Sequence, residues 1–286
     1  MIAQLLKDGK QTLSFEVFPP KKDDEFENAQ AVLNSLAELK PDFISVTYGA
    51  GGSRSTKTVE IASYIENHLH IPALAHMTCV GSKREDIGRV TDSLRQAGVS
   101  HVLALRGDRP SWMDDEQFAG RDFAHASDLT RFLKETSDLE IAGACYPEKH
   151  YEAPDAAADL EGLREKARAG ASFLITQLFF ENGAFYRFLE RKEAAGISLP
   201  VCAGIMPITS ARQLGTTVTL SGSSIPKELA DLIAAYGDHP EDMRRAGVDY
   251  AIRQILDLKE HGVDGIHIYS MNRPKTTREI VQAVTP

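Results

Sequence analysis

The segment Ser14-Phe15-Glu16-Val17-Phe18-Pro19-Pro20 predicts a short strand that ends at two prolines. Side chains alternate between the two faces of a strand, so the acidic residue points away from its apolar neighbours. One face carries Leu13, Phe15 and Val17, and the other carries Ser14, Glu16 and Phe18. An ionised carboxylate inside a core is costly unless it is paired, hydrated or protonated. Glu16 therefore lies either in a wet, ligand-accessible lumen or in a buried ion pair.

Seven further strand-like segments follow this one, and helical segments separate them. The strands are predicted at residues 43–47, 73–79, 101–106, 141–146, 173–179, 200–205 and 265–269. The helices are predicted before Pro41, at 55–67, 84–97, from about 127, at 156–169, 182–195, within 210–260 and at 276–283, with a long loop over 107–125. Strand starts that mostly recur at intervals of roughly 25 to 40 residues suit successive right-handed βαβ units.

This alternation predicts a (β/α)8 TIM barrel, with an open, doubly wound sheet as the competing fold. The interval between the seventh and eighth strands is roughly 60 residues, which leaves room for an extra helix over the site. Residues 1–286 are expected to form a single domain, because the sequence contains no internal repeat, low-complexity segment or linker-like run.

Composition limits the function classes. The 286 residues are 42% hydrophobic, which is enough to bury one sizeable core. The chain has 32 Lys and Arg against 41 Asp and Glu, and the net charge of -9 disfavours nucleic acid as a partner. Residues 1–10 lack the features of a targeting segment and no apolar run could span a bilayer, so we expect a cytoplasmic protein with no membrane partner. Cys79, Cys145 and Cys202 lie far apart, which predicts buried, reduced thiols and no metal site.

Polar or small side chains share one face of many predicted strands. They are Ser45 and Thr47, His76 and Thr78, Ala104 and Arg106, Ala142, Ala144 and Tyr146, Gln177, and Gly265, His267 and Tyr269. In a barrel the apolar face meets the helices and the other face lines the lumen. Because the polar residues fall near the C-terminal ends of the strands, they predict a site at that end. Taken alone, His76 would more often be a core histidine with satisfied hydrogen bonds than a catalytic residue.

The turn Leu105-Arg106-Gly107-Asp108-Arg109-Pro110 directly follows the fourth predicted strand. Gly107 lets the backbone approach a ligand, while Arg106 and Asp108 offer a charged donor and an acceptor beside it. The alternative interpretation is an Arg–Asp salt bridge in a tight turn. The tripeptide alone does not decide between them.

Two further segments indicate ligand contacts. The Tyr-Gly-Ala-Gly-Gly-Ser segment at 48–53 has Arg54 in place of the third glycine of a dinucleotide fingerprint, so it predicts a covering loop or a plain connection. Asp159 and Lys166 share one side of the helix that follows Tyr-Pro-Glu-Lys-His at 146–150. That side either grips a phosphate-bearing cofactor or is a solvated face. The sequence shows no Ser-His-Asp elbow, P-loop or metal-ligand cluster.

Taken together, several blocks resemble methylenetetrahydrofolate reductases of the short bacterial type over nearly the whole chain. The blocks are SFEVFPP at 14–20, VTYGA at 46–50, AHMTC at 75–79, LRGD at 105–108, YPE at 146–148, ITQLFF at 175–180 and YSMNR at 269–273. The resemblance, to the catalytic domain only, implies a barrel that holds FAD and passes a hydride from NADH or NADPH to the flavin and then to methylenetetrahydrofolate. The methyltetrahydrofolate product would supply methionine synthesis.

The resemblance also implies roles for individual residues. Glu16 matches the family's general acid, and Asp108 matches an acidic residue between folate and flavin. The acid would protonate the folate and open its methylene bridge into an iminium that accepts a hydride. Gln177 matches a residue that contacts either substrate. Gln213 and Arg273 match folate contacts.

The implied cofactor contacts extend across the mouth of the barrel. For the flavin they are Tyr48, Ala50, His76, Arg106, Gly107, Asp108, Ala126, Tyr146, His150, Ala153, Asp159 and Lys166. Thr47 matches a nicotinamide contact. One flavin face serving both substrates in turn would give ping-pong kinetics.

Three positions depart from the family pattern. Gly162 and Glu165 stand where similar enzymes can carry an amide and an arginine near the cofactor, and Thr217 stands where an aromatic can stack on the substrate. Two alternatives stay open: a flavin barrel dehydrogenase acting on an amino acid, like proline dehydrogenase, and a non-catalytic folate- or flavin-binding protein. The sequence does not distinguish NADH from NADPH, nor does it decide whether the protein forms a homo-oligomer.

Overall fold

A computed structural model describes residues 1–20, 26–48 and 52–285, without the side chains of residues 52–55, 216, 219 and 220. Eight parallel strands close into a barrel in their order along the chain, with the first strand paired to the last. The strands are β1 (Thr12–Val17), β2 (Phe43–Val46), β3 (Ala73–Thr78), β4 (His101–Leu105), β5 (Glu140–Cys145), β6 (Phe173–Thr176), β7 (Val201–Ile205) and β8 (Gly265–Tyr269). This closure confirms the predicted (β/α)8 barrel and excludes the open sheet, which would leave two unpaired edges.

Twelve helices lie within the described ranges. They are α1 (Ile2–Lys7), α2 (Phe26–Ala37), α3 (Gly52–Asn67), α4 (Arg84–Gln96), α5 (Asp115–Ala119), α6 (Ala126–Thr136), α7 (Ala156–Ala169), α8 (Asn182–Ala194), α9 (Ala211–Ser221), α10 (Lys227–Tyr236), α11 (Pro240–Glu260) and α12 (Pro274–Val284). Two of them, α1 and α5, are absent from the sequence prediction. Helix α5 lies inside the predicted loop over 107–125 and is capped by Asp114, whose carboxylate accepts from the Gln117 amide at 2.8 Å.

The outward faces of the strands form the main core. Phe15 and Val17 on β1 lie beside Ile44 and Val46 on β2 in the sheet register, and all four are buried under the surrounding helices. This is the apolar face that the period-two pattern predicted. The alternate face of β1, which carries Ser14 and Glu16, points into the lumen.

On β4 the predicted lumen face is wrong. Leu103 and Leu105 face the lumen, whereas Ala104 belongs to the outer core beside Met77 of β3. Arg106 lies one residue beyond the end of the strand, so the alternation that relates it to Ala104 no longer applies. Its polar side chain reaches the barrel mouth from a turn, not from the strand.

A second buried cluster fills the N-terminal half of the lumen. Ile2, Ala3 and Leu6 of α1 pack in this cluster against the inward side chains Phe43, Leu74, Leu103, Ala142, Phe173, Ile175 and Cys202. The Glu140 carboxylate fixes the helix by accepting from the backbone amides of Ile2 at 2.6 Å and Ala3 at 3.3 Å. Helix α1 therefore plugs this end of the barrel, and a ligand must enter from the C-terminal end.

Three helices, α9 to α11, occupy the interval between β7 and β8. A third apolar cluster anchors them beside the ends of β6 and β7, and it comprises Leu178, Phe180, Ile208, Leu214, Leu229 and Met243. The Tyr250 hydroxyl on α11 donates to the Phe180 carbonyl at 2.6 Å, and the Gln254 amide donates to the Phe179 carbonyl at 3.0 Å. These contacts hold the helical segment beside the open end of the barrel.

Cys79, Cys145 and Cys202 are buried free thiols, as the sequence predicted. Across residues 1–20, 26–48 and 52–285, no helix combines the length and apolar character needed to cross a bilayer.

The Glu140 contacts predict the effect of a substitution at the plugged end. Glu140→Gln should lower the free energy of unfolding by about 2 kcal/mol, because hydrogen bonds to a charged acceptor are worth roughly 1.5–3 kcal/mol. Urea unfolding measures the change, and amide hydrogen exchange at residues 2–7 should accelerate with it. Glu135→Gln, at an exposed position near the end of α6, is the matched control. Equal stability of the two variants would contradict the anchoring role of Glu140.

Candidate active site

A cavity of about 890 Å³ opens at the C-terminal end of the barrel. Its size falls within the range of small-molecule sites, roughly 300–1,000 Å³. Many of the residues expected to bind cofactor or substrate line it together: Glu16, Thr47, Tyr48, His76, Arg106, Gly107, Asp108, Tyr146, His150 and Gln177. A cavity therefore lies at the end of the barrel where the sequence predicts a site.

Glu16 lies in the wall of this cavity and is only 8% exposed. Burial raises the pKa of its carboxyl to about 8, because the charged form loses its hydration. Its backbone carbonyl accepts from the Ser270 hydroxyl at 2.5 Å, which ties the end of β1 to the segment after β8. The backbone at the end of β1 is thus held in place, and the carboxyl is largely protonated at neutral pH.

His76 lies beside the Glu16 carboxyl in the cavity wall. Its Nε2 lies 3.5 Å from Glu16 Oε2, and burial lowers the pKa of the imidazole to about 3. Since the acid is protonated and the imidazole is neutral, the pair carries no charge at neutral pH. The structure therefore favours a lumen-facing acid over the buried ion pair that the sequence left open.

A hydrogen-bonded layer lies below the acid. His267 is fully buried on β8, with Nδ1 2.7 Å from Ser14 Oγ and Nε2 3.3 Å from Ser45 Oγ. Its ring stacks on Phe43 at 5.8 Å between centroids. Burial, and secondarily the charge of His76, lower the pKa of His267 to about 3. This layer separates the acid from the apolar plug without adding a charge.

Tyr269 lies next to Glu16 in the cavity wall, in register with it across the β1–β8 pair. Its hydroxyl donates to the Thr176 carbonyl at 2.6 Å. Gly204 makes room for the ring, because a Cβ at that position would lie 2.5 Å from the Thr176 carbonyl oxygen and 2.8 Å from the tyrosine. The sequence pattern placed Tyr269 in the lumen but did not assign it a role.

The turn after β4 presents a guanidinium and a carboxylate at the mouth. Arg106 pairs through both terminal nitrogens with Glu152, one of these bonds measuring 2.9 Å, while Asp108 lines the cavity. The alternative interpretation, a salt bridge between Arg106 and Asp108, is therefore not the observed pairing. Gly107 has φ +83°, and a Cβ there would lie 2.9 Å from Val80, so this position requires glycine.

Glu152 is a site residue that the sequence reasoning missed. Its hydrogen bond to Arg106 lowers the pKa of the carboxyl to about 2, and the same bond raises the pKa of the guanidinium. The Tyr151 hydroxyl also donates to Glu152 at 3.0 Å. Arg106 and Glu152 lie 46 positions apart in the chain, so no local spacing in the sequence predicts their pairing.

The helix side expected to grip a cofactor lies behind the cavity wall. Lys166 donates to the Ala144 carbonyl at 2.7 Å, and its ammonium lies 5.7 Å from the centre of the Tyr146 ring. Burial lowers the pKa of Lys166 and raises that of Asp159. Four predicted flavin contacts are not among the residues that line the cavity: Ala126, Ala153, Asp159 and Lys166.

The predicted folate contacts divide between the cavity and its rim. Gln177 lines the cavity, and its side-chain oxygen accepts from the Leu178 amide at 2.9 Å. Gln213 and Arg273 do not line the cavity, but both contact Thr209, whose hydroxyl donates to Gln213 Oε1 at 3.0 Å and accepts from Arg273. Thr209 thus joins the segment after β7 to the segment after β8. No motif or spacing in the sequence predicts this link.

Part of the predicted covering loop lies outside the described residues. Ala50, with Gly49 and Gly51, lies outside the described residues, whereas Tyr48 and Thr47 line the cavity beside them in sequence. Within the described part of the chain, no group of three or more His, Cys, Asp or Glu side chains could hold a metal ion.

Comparisons with known proteins agree along the whole chain. Residues 1–285 match the family model described as methylenetetrahydrofolate reductase. The 5,10-methylenetetrahydrofolate reductase of Pectobacterium carotovorum subsp. carotovorum is 34% identical over 272 residues, which cover 95% of this chain and 89% of the relative. The Escherichia coli K12 protein of the same name is 33% identical, covering 95% and 90%. A methylenetetrahydrofolate reductase (NADH) of Arabidopsis thaliana is 31% identical over 96% of this chain, but the match covers only 48% of that longer protein.

Among solved structures, a Clostridium thermocellum protein that binds two copies of 5-methyl-5,6,7,8-tetrahydrofolic acid aligns with a TM-score of 0.70. The alignment covers 99% of this chain and 98% of that one at 16% identity. At that identity the likeness supports the barrel fold alone.

The raised pKa of Glu16 predicts how stability depends on pH. The carboxyl is protonated in the folded state up to about pH 8 but ionises at its ordinary value of 4.5 when unfolded. The free energy of unfolding should therefore fall as pH rises from 4.5 to 8, by at most about 1.4 kcal/mol per pH unit. His76 and His267, whose pKa values are lowered by burial, make the free energy of unfolding rise with pH instead. That rise is confined to pH values below their ordinary pKa of 6.5.

Urea unfolding between pH 6.5 and 8 therefore isolates the Glu16 contribution. Glu16→Gln should remove a fall of up to about 2 kcal/mol across this window. Glu60→Gln, an exposed position on α3, should retain the fall. A wild-type protein whose stability is flat across the window would show that Glu16 ionises normally.

Proposed function

The chain belongs to the methylenetetrahydrofolate reductase family, and from this premise we propose that it reduces 5,10-methylenetetrahydrofolate to 5-methyltetrahydrofolate with NADH or NADPH and a bound FAD. The proposal treats residues 1–286 as one catalytic domain. The observation that carries it is a single buried carboxyl, protonated at neutral pH, in the wall of a cavity large enough for a multi-ring ligand. Such an acid is the group that opening a methylene bridge requires.

The residues around the cavity fit a flavin nucleotide. The backbone at Gly107, where no Cβ fits, allows a planar ligand to approach closely, while Glu152 holds the Arg106 guanidinium at the mouth of the cavity. When bound, FAD would supply the hydride acceptor and donor of the reaction.

Glu16 would supply the proton. Its protonated carboxyl would donate to the bound folate, which opens the methylene bridge into an electrophilic iminium. Asp108, exposed at the mouth, would place negative charge beside the cationic folate and favour its formation. Gln177 would contact the substrate from the end of β6, because it lines the same cavity as the acid.

Arg273 and Gln213 would bind the far end of the folate. Both are held by Thr209, so the amide and the guanidinium lie in one hydrogen-bonded unit. A guanidinium at the rim suits the glutamate carboxylates of a folate tail. Thr217 on α9 lacks the aromatic face that could stack on a substrate, so affinity would rest more on these polar contacts.

One cavity serves both substrates, and this supports a ping-pong order. Thr47, expected to contact the nicotinamide, and Gln177, expected to contact the folate, line the same space as Glu16. NADH or NADPH would therefore leave before folate enters. The methyltetrahydrofolate released in the second step would supply methionine synthesis.

The visible spectrum of the purified protein under anaerobic conditions tests this function. We expect a bound-flavin spectrum that bleaches with NADH or NADPH and recovers on adding methylenetetrahydrofolate. A spectrum that bleaches but does not recover would leave a flavoprotein acting on another substrate, such as an amino acid. A protein that stays colourless after reconstitution with FAD would overturn the proposal.

Glu16→Gln separates the two half-reactions. The folate step should slow by roughly 10²- to 10⁴-fold, the usual contribution of a general acid, while bleaching by the nicotinamide should persist because it needs no proton from Glu16. Stopped-flow absorbance of the flavin measures both steps, with Glu60→Gln as the control. If recovery in Glu16→Gln is as fast as in the wild type, Glu16 is not the acid.

A further inference from the structure

One buried polar atom in the cavity wall lacks a hydrogen-bond partner. Nε2 of His76 has no partner within the described structure, and the residue is only 7% exposed. Buried polar atoms are nearly always paired, so an unpaired nitrogen beside a ligand cavity needs an explanation. The nearest acidic group is the Glu16 carboxyl, with Oε2 at 3.5 Å.

We propose that His76 is the positioning residue of the acid: its neutral imidazole carries the proton on Nδ1, and its Nε2 accepts a hydrogen bond from the protonated Glu16 carboxyl. This inference rests on the proposed function, since it deepens the role of Glu16 in the folate step. The observed 3.5 Å is longer than a formed hydrogen bond, and a small rotation of either side chain closes the gap. Acid–base contacts are often long before substrate binds.

The charge states favour this assignment over an ion pair. Moving the proton from Glu16 to His76 would create two charges in a dehydrated site, and burial opposes both, because it raises the pKa of the acid and lowers that of the base. His267, below the pair, is neutral as well, because burial lowers its pKa to about 3, so it supplies no charge to either partner. The neutral pair is the state that all three groups permit.

The titratable and charged groups that line the cavity with the acid come from several elements: Tyr48 after β2, His76 on β3, Asp86 and Arg89 on α4, Arg106 and Asp108 after β4, Tyr146 and His150 after β5, and Tyr269 on β8. Burial raises the pKa of Tyr146 and Tyr269, so they stay neutral. Arg106 is engaged by Glu152. His76, with Nε2 3.5 Å from Glu16 Oε2, is therefore the group placed to accept a hydrogen bond from the protonated carboxyl.

The proton balance of the folate step follows from this contact. Glu16 gives its proton to the folate and becomes a carboxylate, while His76 stays neutral. A hydrogen bond that the acid donates favours its protonated form, so His76 keeps the proton on Glu16 until the folate competes for it. After product leaves, the carboxylate regains a proton from solvent through the open mouth of the cavity.

His76→Gln tests the assignment. The glutamine amide can donate to the Glu16 carboxylate, so it favours the ionised form that histidine disfavours. The alkaline limb of the folate half-reaction, followed by flavin reoxidation, should move to lower pH by about one unit, which is a roughly tenfold loss of rate on the alkaline side. His101→Gln is the matched control, because His101 is also buried with Nε2 3.6 Å from a glutamate, but at the plugged end of the barrel. It should leave the limb in place.

A second readout needs neither flavin nor folate turnover. In His76→Gln, the fall of unfolding free energy with rising pH should end about one pH unit lower than in the wild type, since that fall reports the pKa of Glu16. A purely structural role for His76 would lower stability by the same amount at every pH. If His76→Gln does not fold, His76→Asn, with a shorter amide, takes its place in both measurements.

The outcomes separate the two proposals. An alkaline limb and a stability curve that keep their wild-type pH positions in the histidine variant would overturn the positioning role of His76. Failure of methylenetetrahydrofolate to reoxidise the flavin of the wild-type protein would instead overturn the proposed function. In that case the stability curves alone still decide whether His76 sets the pKa of Glu16.

Discussion

The carboxyl of Glu16 is buried in a closed barrel where no described side chain supplies a counter-charge, and the chemistry of the site depends on that constraint. A carboxyl in water gives up its proton near pH 4, whereas this one has a pKa of about 8 because its ionised form cannot be hydrated. A cation in contact with it would reverse the effect. The groups around it are instead a neutral histidine, a second buried histidine and a tyrosine, so no neighbour restores the normal acidity.

The barrel maintains this environment through layers in its lumen. Helix α1 and the inward apolar side chains fill the lower half and exclude water from below. The Ser14–His267–Ser45 layer then satisfies its own polar atoms, which lets polar side chains lie in the core without bringing in water. The acid forms the top layer, at the boundary between the packed interior and the cavity. Moving Glu16 one position along β1 would turn it outward into the apolar core.

The sequence predicted the fold well because the fold depends on local patterns. Alternating faces identified eight strands, and helix signals identified most of the helices between them. The errors lie at the end of a strand and in a short helix, where periodic patterns in the sequence carry little information. Arg106 was placed on a strand face although β4 ends at Leu105, and α1 was missed because six residues give too short a period to recognise.

Long-range pairing explains what the sequence could not supply at the site. Glu152 reaches Arg106 across 46 positions, and Arg273 reaches Thr209 across 64, so neither pair has a spacing that a motif could record. These links also divide the site in two. The segments after β4 and β5 hold the Arg106 side, the segments after β7 and β8 hold the Arg273 side, and β1 supplies Glu16 to the cavity.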